Sequence, residues 1–427
     1  MFKIDIRIQA KWFPSFLALG FGLWASAAQA QEYRYRYVDL DQVPLPAGYL
    51  FFEPIVLNDS GAIYGNAYDS ASFYPHVAVY KNGTITVLQP DTIGAVSSVN
   101  AGGTMAGSVL VDPVNFIVQS ALFRGSQVEL IPPQPGEFSN QVFDINDPSE
   151  ALVASFTGSP DAPKAIYSLY NKGKNAILNF GPTITNPFFL HLNNQAIISG
   201  TIFGSHDRGF RFDPRSGRSI ELAPLPTEPD AWALGINESS DVLGYSFVSS
   251  GRERIGTWNK QGNFKTYFTE GTPEVPTISN RLRFNDNNLI VITFVSSPSS
   301  DREKSYLVPK PGVRLNIADL VTNMPPNRNI SFVDSLNNHG DMIGSSCINF
   351  SCNGTFLLER LDGSRAASSH ININRHISGK KRHLPAKAAS LLRRKLQSHK
   401  LKSGARIPQT SGRQKTLLNN EGQPIFK

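Results

Sequence analysis

The chain has 427 residues, 40% of them hydrophobic and 18% charged, with two cysteines and a formal charge of +7. Beyond the first thirty residues no stretch approaches the ~20 apolar residues of a membrane-spanning helix, and two cysteines exclude a disulfide-dense scaffold. The charge is a sum of opposed parts: residues 364–427 carry 15 Lys and Arg against one acid, a net of +14, whereas 31–363 carry 23 against 32, a net of −9. The body is therefore acidic, and the basic overall balance gives it no specific nucleic-acid partner.

Residues 1–30 read as a signal peptide. Lys3, Arg7 and Lys11 form a positive start, an apolar run spans Phe16 to Trp24, and Ala28-Gln29-Ala30 is a small-x-small cleavage site. Export to the periplasm or beyond is expected.

From Asn58 to Asn337 one pattern recurs seven times, most clearly as LNDSGAIYG, VNAGGTMAG, INESSDVLG and LNNHGDMIG. The marker residues are Asn58, Asn100, Asn146, Asn193, Asn237, Asn285 and Asn337, spaced 42 to 52 residues apart. Each unit has room for four short strands, here called a to d from the inside out. In the first unit they read EPIVLN, AIYGNAY, HVAVYKNG and TITVLQP, alternating apolar and polar positions with Asn, Asp, Gly and Pro at the turns. Period and strand count predict an all-β, seven-bladed propeller of four-stranded antiparallel blades over 31–363.

Seven c strands are followed by only six d strands, because after 361–363 the strand pattern stops. YRYRYVDLD (33–41) precedes the first repeat, where nothing else needs it, and resembles VRLNIADL of the sixth d strand. It is expected to complete the seventh blade and close the ring, removing exposed sheet edges; the alternative partner is 371–377.

Turn chemistry follows. The marker Asn bonds its own backbone, Gly61, Gly103 and Gly340 supply a left-handed position, and Gly65, Gly107, Gly200, Gly244 and Gly344 permit close backbone approach. Ala154 and Ile292 stand near the latter place in repeats three and six, which are expected to be the least regular. Cys347 and Cys352 are read as a local disulfide. The N-D turns are explained by Asx chemistry, so no metal and no cofactor are expected.

The unit, Ile-Asn-x-x-Gly-x-Val-x-Gly with an aromatic c strand, resembles the HAF-type extracellular repeat proteins of bacteria. Ile236–Gly244 with Thr257-Trp258, Leu57–Gly65, and Leu336–Gly344 with Thr355-Phe356 carry the likeness, which covers 33–363. The name-giving triplet has its nearest match in His76-Val77-Ala78. The resemblance implies an exported, propeller-like repeat protein and brings no established activity.

No nucleophile elbow, phosphate loop, zinc helix or dinucleotide fingerprint occurs. His76, His191, His206 and His339 read as structural or solvated. Aromatic and acidic residues gather near the starts of four a strands: Phe52 and Glu53, Glu137 and Phe138, Phe188 and Phe189, Asp230 and Trp232. They predict a glycan or peptide site on one face, built from stacking and carboxylate contacts. The expected function is a monomeric, exported binding module; the alternative is a propeller-class lyase or glycosidase using Glu53, Glu137 and Asp230. The basic tail, with a helical patch over 386–401, is expected to meet anionic surfaces.

Overall fold

The computed structural model describes residues 32–159, 162–248, 252–269, 278–294, 304–348 and 351–361, with the short pairs 417–418 and 424–425. Seven four-stranded antiparallel sheets form the seven blades of a β-propeller. Residues 1–31 and almost all of 362–427, including 371–377 and 386–401, lie outside the described residues.

Each a strand ends immediately before its marker Asn: Tyr49–Leu57, Gly94–Val99, Glu137–Ile145, Pro187–Leu192, Asp230–Ile236, Ile278–Phe284 and Arg328–Leu336. Core side chains lie between adjacent blades. Trp232 and Tyr245 of blade five pack with Ile290, Ile292 and Val308 of blade six, and Tyr35, Met342 and Phe356 of blade seven pack with Val291 and Leu307 of blade six. Both faces of each sheet are thus covered, and each fully buried large side chain contributes about 2–3 kcal/mol.

Blade seven is completed as the sequence implies. Tyr35–Asp39 pairs antiparallel with Ser351–Arg360, in a register that sets Tyr35 opposite Arg360 and Asp39 opposite Phe356. Side chains fix that register. Asn323 accepts from the Tyr37 amide at 2.7 Å and donates to its carbonyl at 3.0 Å, imitating a neighbouring strand. Arg328 donates to Asp39 at 3.0 Å, and Thr355 donates to Asp41 at 2.7 Å. The likeness to the sixth d strand extends beyond the strand itself. Val313–Asn316 breaks into a one-turn helix at Ile317–Leu320, where a continuous strand was expected, and Tyr35–Asp39 breaks into a 3-10 turn at Leu40–Gln42. Asn316 and Asp39 cap these turns with their side chains.

The marker Asn residues are all buried. Every one accepts, through Oδ1, from the backbone N–H four residues on, at 2.8–3.0 Å. Five donate through Nδ2 to the carbonyl of the marker Asn in the next blade, the last step running from Asn337 to Asn58 across the closure. Asn237 donates instead to Asn288 Oδ1 at 3.1 Å. One amide therefore closes its own turn and hooks the neighbouring blade.

The third residue after each marker has positive φ in all seven blades, with Gly61, Gly103 and Gly340 joined by Ser149, Ala196, Ser240 and Asn288. Ser149 and Ser240 take their place with a side-chain bond to a neighbouring Asn. The glycines on the b strands answer a bulge in the a strand. A Cβ on Gly65, Gly107, Gly244 or Gly344 would lie 1.8–2.0 Å from the carbonyl oxygen of Glu53, Ala95, Trp232 or Phe332. Of the two blades expected to be irregular, the sixth breaks its pairing between Ile278 and Leu282. The third has nine consecutive pairs between its b and c strands, so Ala154 costs it no regularity there.

Asn193 is 1% exposed, donates to Asn237 O and Ser240 Oγ, and accepts from Ile197 N. We predict that Asn193→Asp, which keeps the acceptor but turns an oxygen toward the Asn237 carbonyl, costs about 3 kcal/mol or more. Asn193→Ala is expected to cost no more than that. Urea unfolding midpoints that match the parent for both variants would refute the hub role.

Candidate functional site

The a strands line the central channel of a propeller. Two residues before each marker Asn, beyond the bulge, stand Val56, Ser98, Asp144, His191, Gly235, Arg283 and Ser335. In blades three, four and six the repeat thus places an acid, an imidazole and a guanidinium where other blades have small or apolar side chains.

These groups interact across blades. Asp144 Oδ1 accepts from Ser98 Oγ at 2.6 Å, and Oδ2 accepts from the Leu192 amide at 3.0 Å. His191 Nδ1 lies 3.9 Å from Asp144 Oδ2. The His191 side chain is 43% exposed. Desolvation by neighbouring protein lowers its pKa, Asp144 opposes this, and the Arg283 charge lowers it further. The imidazole is thus neutral at pH 7. Arg283 is held by the carbonyls of Asp334 and Leu282 at 2.6 and 2.8 Å. Gly235 offers no side chain between Arg283 and His191.

One residue after each marker lies a second ring at the channel mouth: Asp59, Ala101, Asp147, Asn194, Glu238, Asp286 and Asn338. The backbone N–H of each of these but Asp59 donates to the side chain of its counterpart in the next blade, from Ala101 to Asp147 and on through Asn338 to Asp59. At Ala101 the side chain has no oxygen to accept such a bond. Four carboxyl groups therefore share one mouth. Partial burial, with the charges of Asp286, Asp147 and Asp144, pushes Glu238 up from 4.5 to about 7. Among the described residues, no three His, Cys, Asp or Glu side chains are grouped so as to hold a metal ion.

The aromatic and acidic residues near the a-strand starts fall into separate groups. Phe188, Phe189 and Trp232 meet in a cluster with Phe203 and Phe247, between blades four and five. Trp232 is 5% exposed and its indole N–H donates to Asp207 at 2.8 Å, so it belongs to the core and offers no open stacking face. Phe52 is likewise buried, packed with Leu40 and Leu57. Glu53 accepts from Tyr68 Oη, Glu137 from the Gln134 amide, and Asp230 from the Asp207 amide. Each acid is engaged locally, and no contact between the three acids is found among the described residues. His206 lies 3.7 Å from Asp230. Phe138, 43% exposed, and half-buried Phe188 remain accessible.

Sequence reasoning passed over Asp144, Glu238 and Arg283, and read His191 as structural or solvated and Asp59, Asp147 and Asp286 as parts of Asx turns. The available signal was chemical variation at two fixed offsets from an invariant marker.

No family profile and no curated protein matches this chain. Similar solved structures include an acylaminoacyl peptidase in complex with Z-Gly-Gly-Phe-chloromethyl ketone, at TM-score 0.50 and 8% identity over 74% of this chain. The chain spans 53% of that peptidase's length. YCF48 bound to D1 peptide follows at 0.46 and 10%, covering 77% of this chain and 97% of that one. The Dos1 propeller stands at 0.42 and 10%, covering 77% and 95%. At such identities the likeness is one of fold.

Glu238 also sets a pH dependence. Its folded value lies above its ordinary one, so between about 4.5 and 7 the folded protein keeps a proton that the unfolded chain has lost. That stabilisation is fully present at low pH and disappears as pH rises through about 7. We predict that Glu238→Gln melts with the parent near about pH 5 and at higher temperature near about pH 8. Equal melting temperatures at both values would refute the repulsion.

Proposed function

We propose that this chain is an exported interaction module of the HAF-repeat kind, a monomeric propeller that presents a binding surface for a peptide or glycan. One observation carries the reading: at equivalent channel positions of a uniform ring, Asp144, His191 and Arg283 replace small or apolar side chains. Asp144 and Arg283 also bond neighbouring blades, and a ligand gives their charges and the His191 imidazole a further role. Phe138 and Phe188 supply stacking surfaces at the a-strand starts. The composition of residues 1–30 supports export. The +14 charge of 364–427 supports contact with anionic surfaces, which is expected to weaken as salt rises.

The mature protein is predicted to bind members of a peptide and glycan array. Variants Asp144→Asn and Phe138→Ala separate the channel from the opposite mouth. Binding that survives both substitutions would remove both surfaces from consideration, and turnover of a bound glycan would favour the lyase or glycosidase reading.

Export also bears on the cysteines. Ser346 pairs with Gly354 and Ile348 with Ser351, so the ladder sets Cys347 opposite the Cys352–Asn353 step of the same hairpin. We propose a disulfide between Cys347 and Cys352. Iodoacetamide should label neither thiol of the unfolded protein until reductant is added; mass spectrometry showing two labels without reductant would contradict it.

A further inference from the structure

The exposed apolar surface of the ring is concentrated on one hairpin. Of the nine exposed large hydrophobic side chains among the described residues, five fall within 111–118: Val111, Val114, Phe116, Ile117 and Val118. They lie where the b and c strands of blade two, Met105–Asp112 and Ile117–Arg124, are joined. Asp112 is the one charge in that stretch, and its own turn occupies it. Its carboxylate accepts from the amides of Val114 and Asn115 and from the Asn115 side chain. Contiguous apolar surface of this kind marks an interaction site.

The backbone says what kind of partner fits. The d strand of blade two, Gln127–Leu130, pairs with the c strand only from Ala121 to Arg124. Next to it the Ile131 amide donates to the Ser120 carbonyl, and the Ser120 amide donates to Asn140 Oδ1, both at 2.8 Å. The Ser120 backbone groups thus face outward, and two residues earlier in the strand those of Val118 do the same. Leu110, opposite Val118, directs its amide the other way, to the Ile93 carbonyl. Among the described residues the Val118 amide and carbonyl have no hydrogen-bond partner. The Asn140–Ser120 bond also sets the a strand of blade three beside this edge, which brings Phe138 level with Val118.

Other blades blunt the same place. Blade one has Pro75, two residues before the Val77 carbonyl that accepts from Leu88, and proline brings no N–H. Blade three has exposed Lys164 beside Ala165, two residues before the Tyr167 carbonyl that accepts from Leu178; lysine is a common guard of sheet edges. Blade seven caps the Thr355 amide with Asp41 at 3.1 Å. In blade two the edge is open and apolar.

We propose that the outer edge at 117–119 takes an extended, uncharged apolar segment of another protein as an added strand. The Val118 amide and carbonyl are its ladder partners, and Val118, Leu130 and Phe138 its side-chain contacts. The inference rests on the peptide reading above and gives that peptide a conformation and a place. The added strand continues the lane that Gln127–Leu130 fills further along the same sheet, as Tyr35–Asp39 fills it in blade seven from the far end of the ring. A lipid surface would meet the side chains and leave the Val118 backbone pair unsatisfied. A second copy would bring one body of net charge −9 against another.

The test is fluorescence anisotropy on the full-length mature protein with a labelled, amidated Ser-Val-Thr-Val-Ser peptide, and with the same peptide N-methylated at every amide. The parent is expected to bind the first and not the second. Val118→Pro removes the outward N–H and leaves the bonds to the b strand in place; it is expected to weaken binding about fivefold, the worth of one hydrogen bond. Val118→Lys keeps the N–H, charges the edge and is expected to weaken binding at least as much, with the melting temperature of the parent. Equal binding of the N-methylated peptide, or unchanged binding by both variants, would overturn the added strand. A dimer in sedimentation that Val118→Lys dissolves would assign the edge to a second copy, and phosphatidylcholine vesicles bound by the parent and not by Val118→Lys would assign it to lipid; either overturns the peptide. Failure of this probe while members of the peptide and glycan array still bind overturns the inference and spares the general reading; failure of every ligand sinks both.

Discussion

A single buried carboxamide, repeated around a circle, holds two kinds of order together. The marker Asn has one acceptor and one donor end, and the fold uses them in different directions. Its oxygen fixes the left-handed turn at the end of the innermost strand, and its nitrogen reaches the next blade. An apolar residue would leave buried amides without partners, and a carboxylate would set oxygen against oxygen. Angular repetition therefore follows from a local turn: once the turn forms, its outward donor sits where the next blade's carbonyl must be.

Much of this was legible in the chain. Period-2 alternation marked the strands, and the missing seventh d strand pointed to 33–41 because an open edge needs a partner. The bulge glycines were visible as a pattern, while their reason was not: the a-strand carbonyl that a Cβ at Gly244 would strike becomes apparent only in three dimensions. The left-handed turn position persists at Ser149, Ala196 and Ser240 without glycine, showing that the hub amide imposes the conformation that residue preference alone would not supply.

The site was less legible, and the reason is geometric. Aromatics near strand starts suggest an open cleft, yet propeller sheets are covered on both faces, so Phe52 and Trp232 are absorbed between blades. The polar residues that face the channel are scattered through the sequence at Asp144, His191 and Arg283 and make no motif. They come together only because the ring brings equivalent positions of different blades around one axis.

The pairing of Tyr35–Asp39 with Ser351–Arg360 joins the two extremes of the described ring. Its loop-closure entropy spans nearly the whole chain, so it is the last contact that propagation from neighbouring repeats can reward. A chain emerging amino end first carries its latch exposed until the carboxyl-side blade has been made. Until then Tyr35–Asp39 has no partner strand, and the half-built circle offers a bare sheet margin to any strand nearby. Completion of the circle is thus a timing problem as much as a structural one, and whatever guards that margin during synthesis guards the whole molecule.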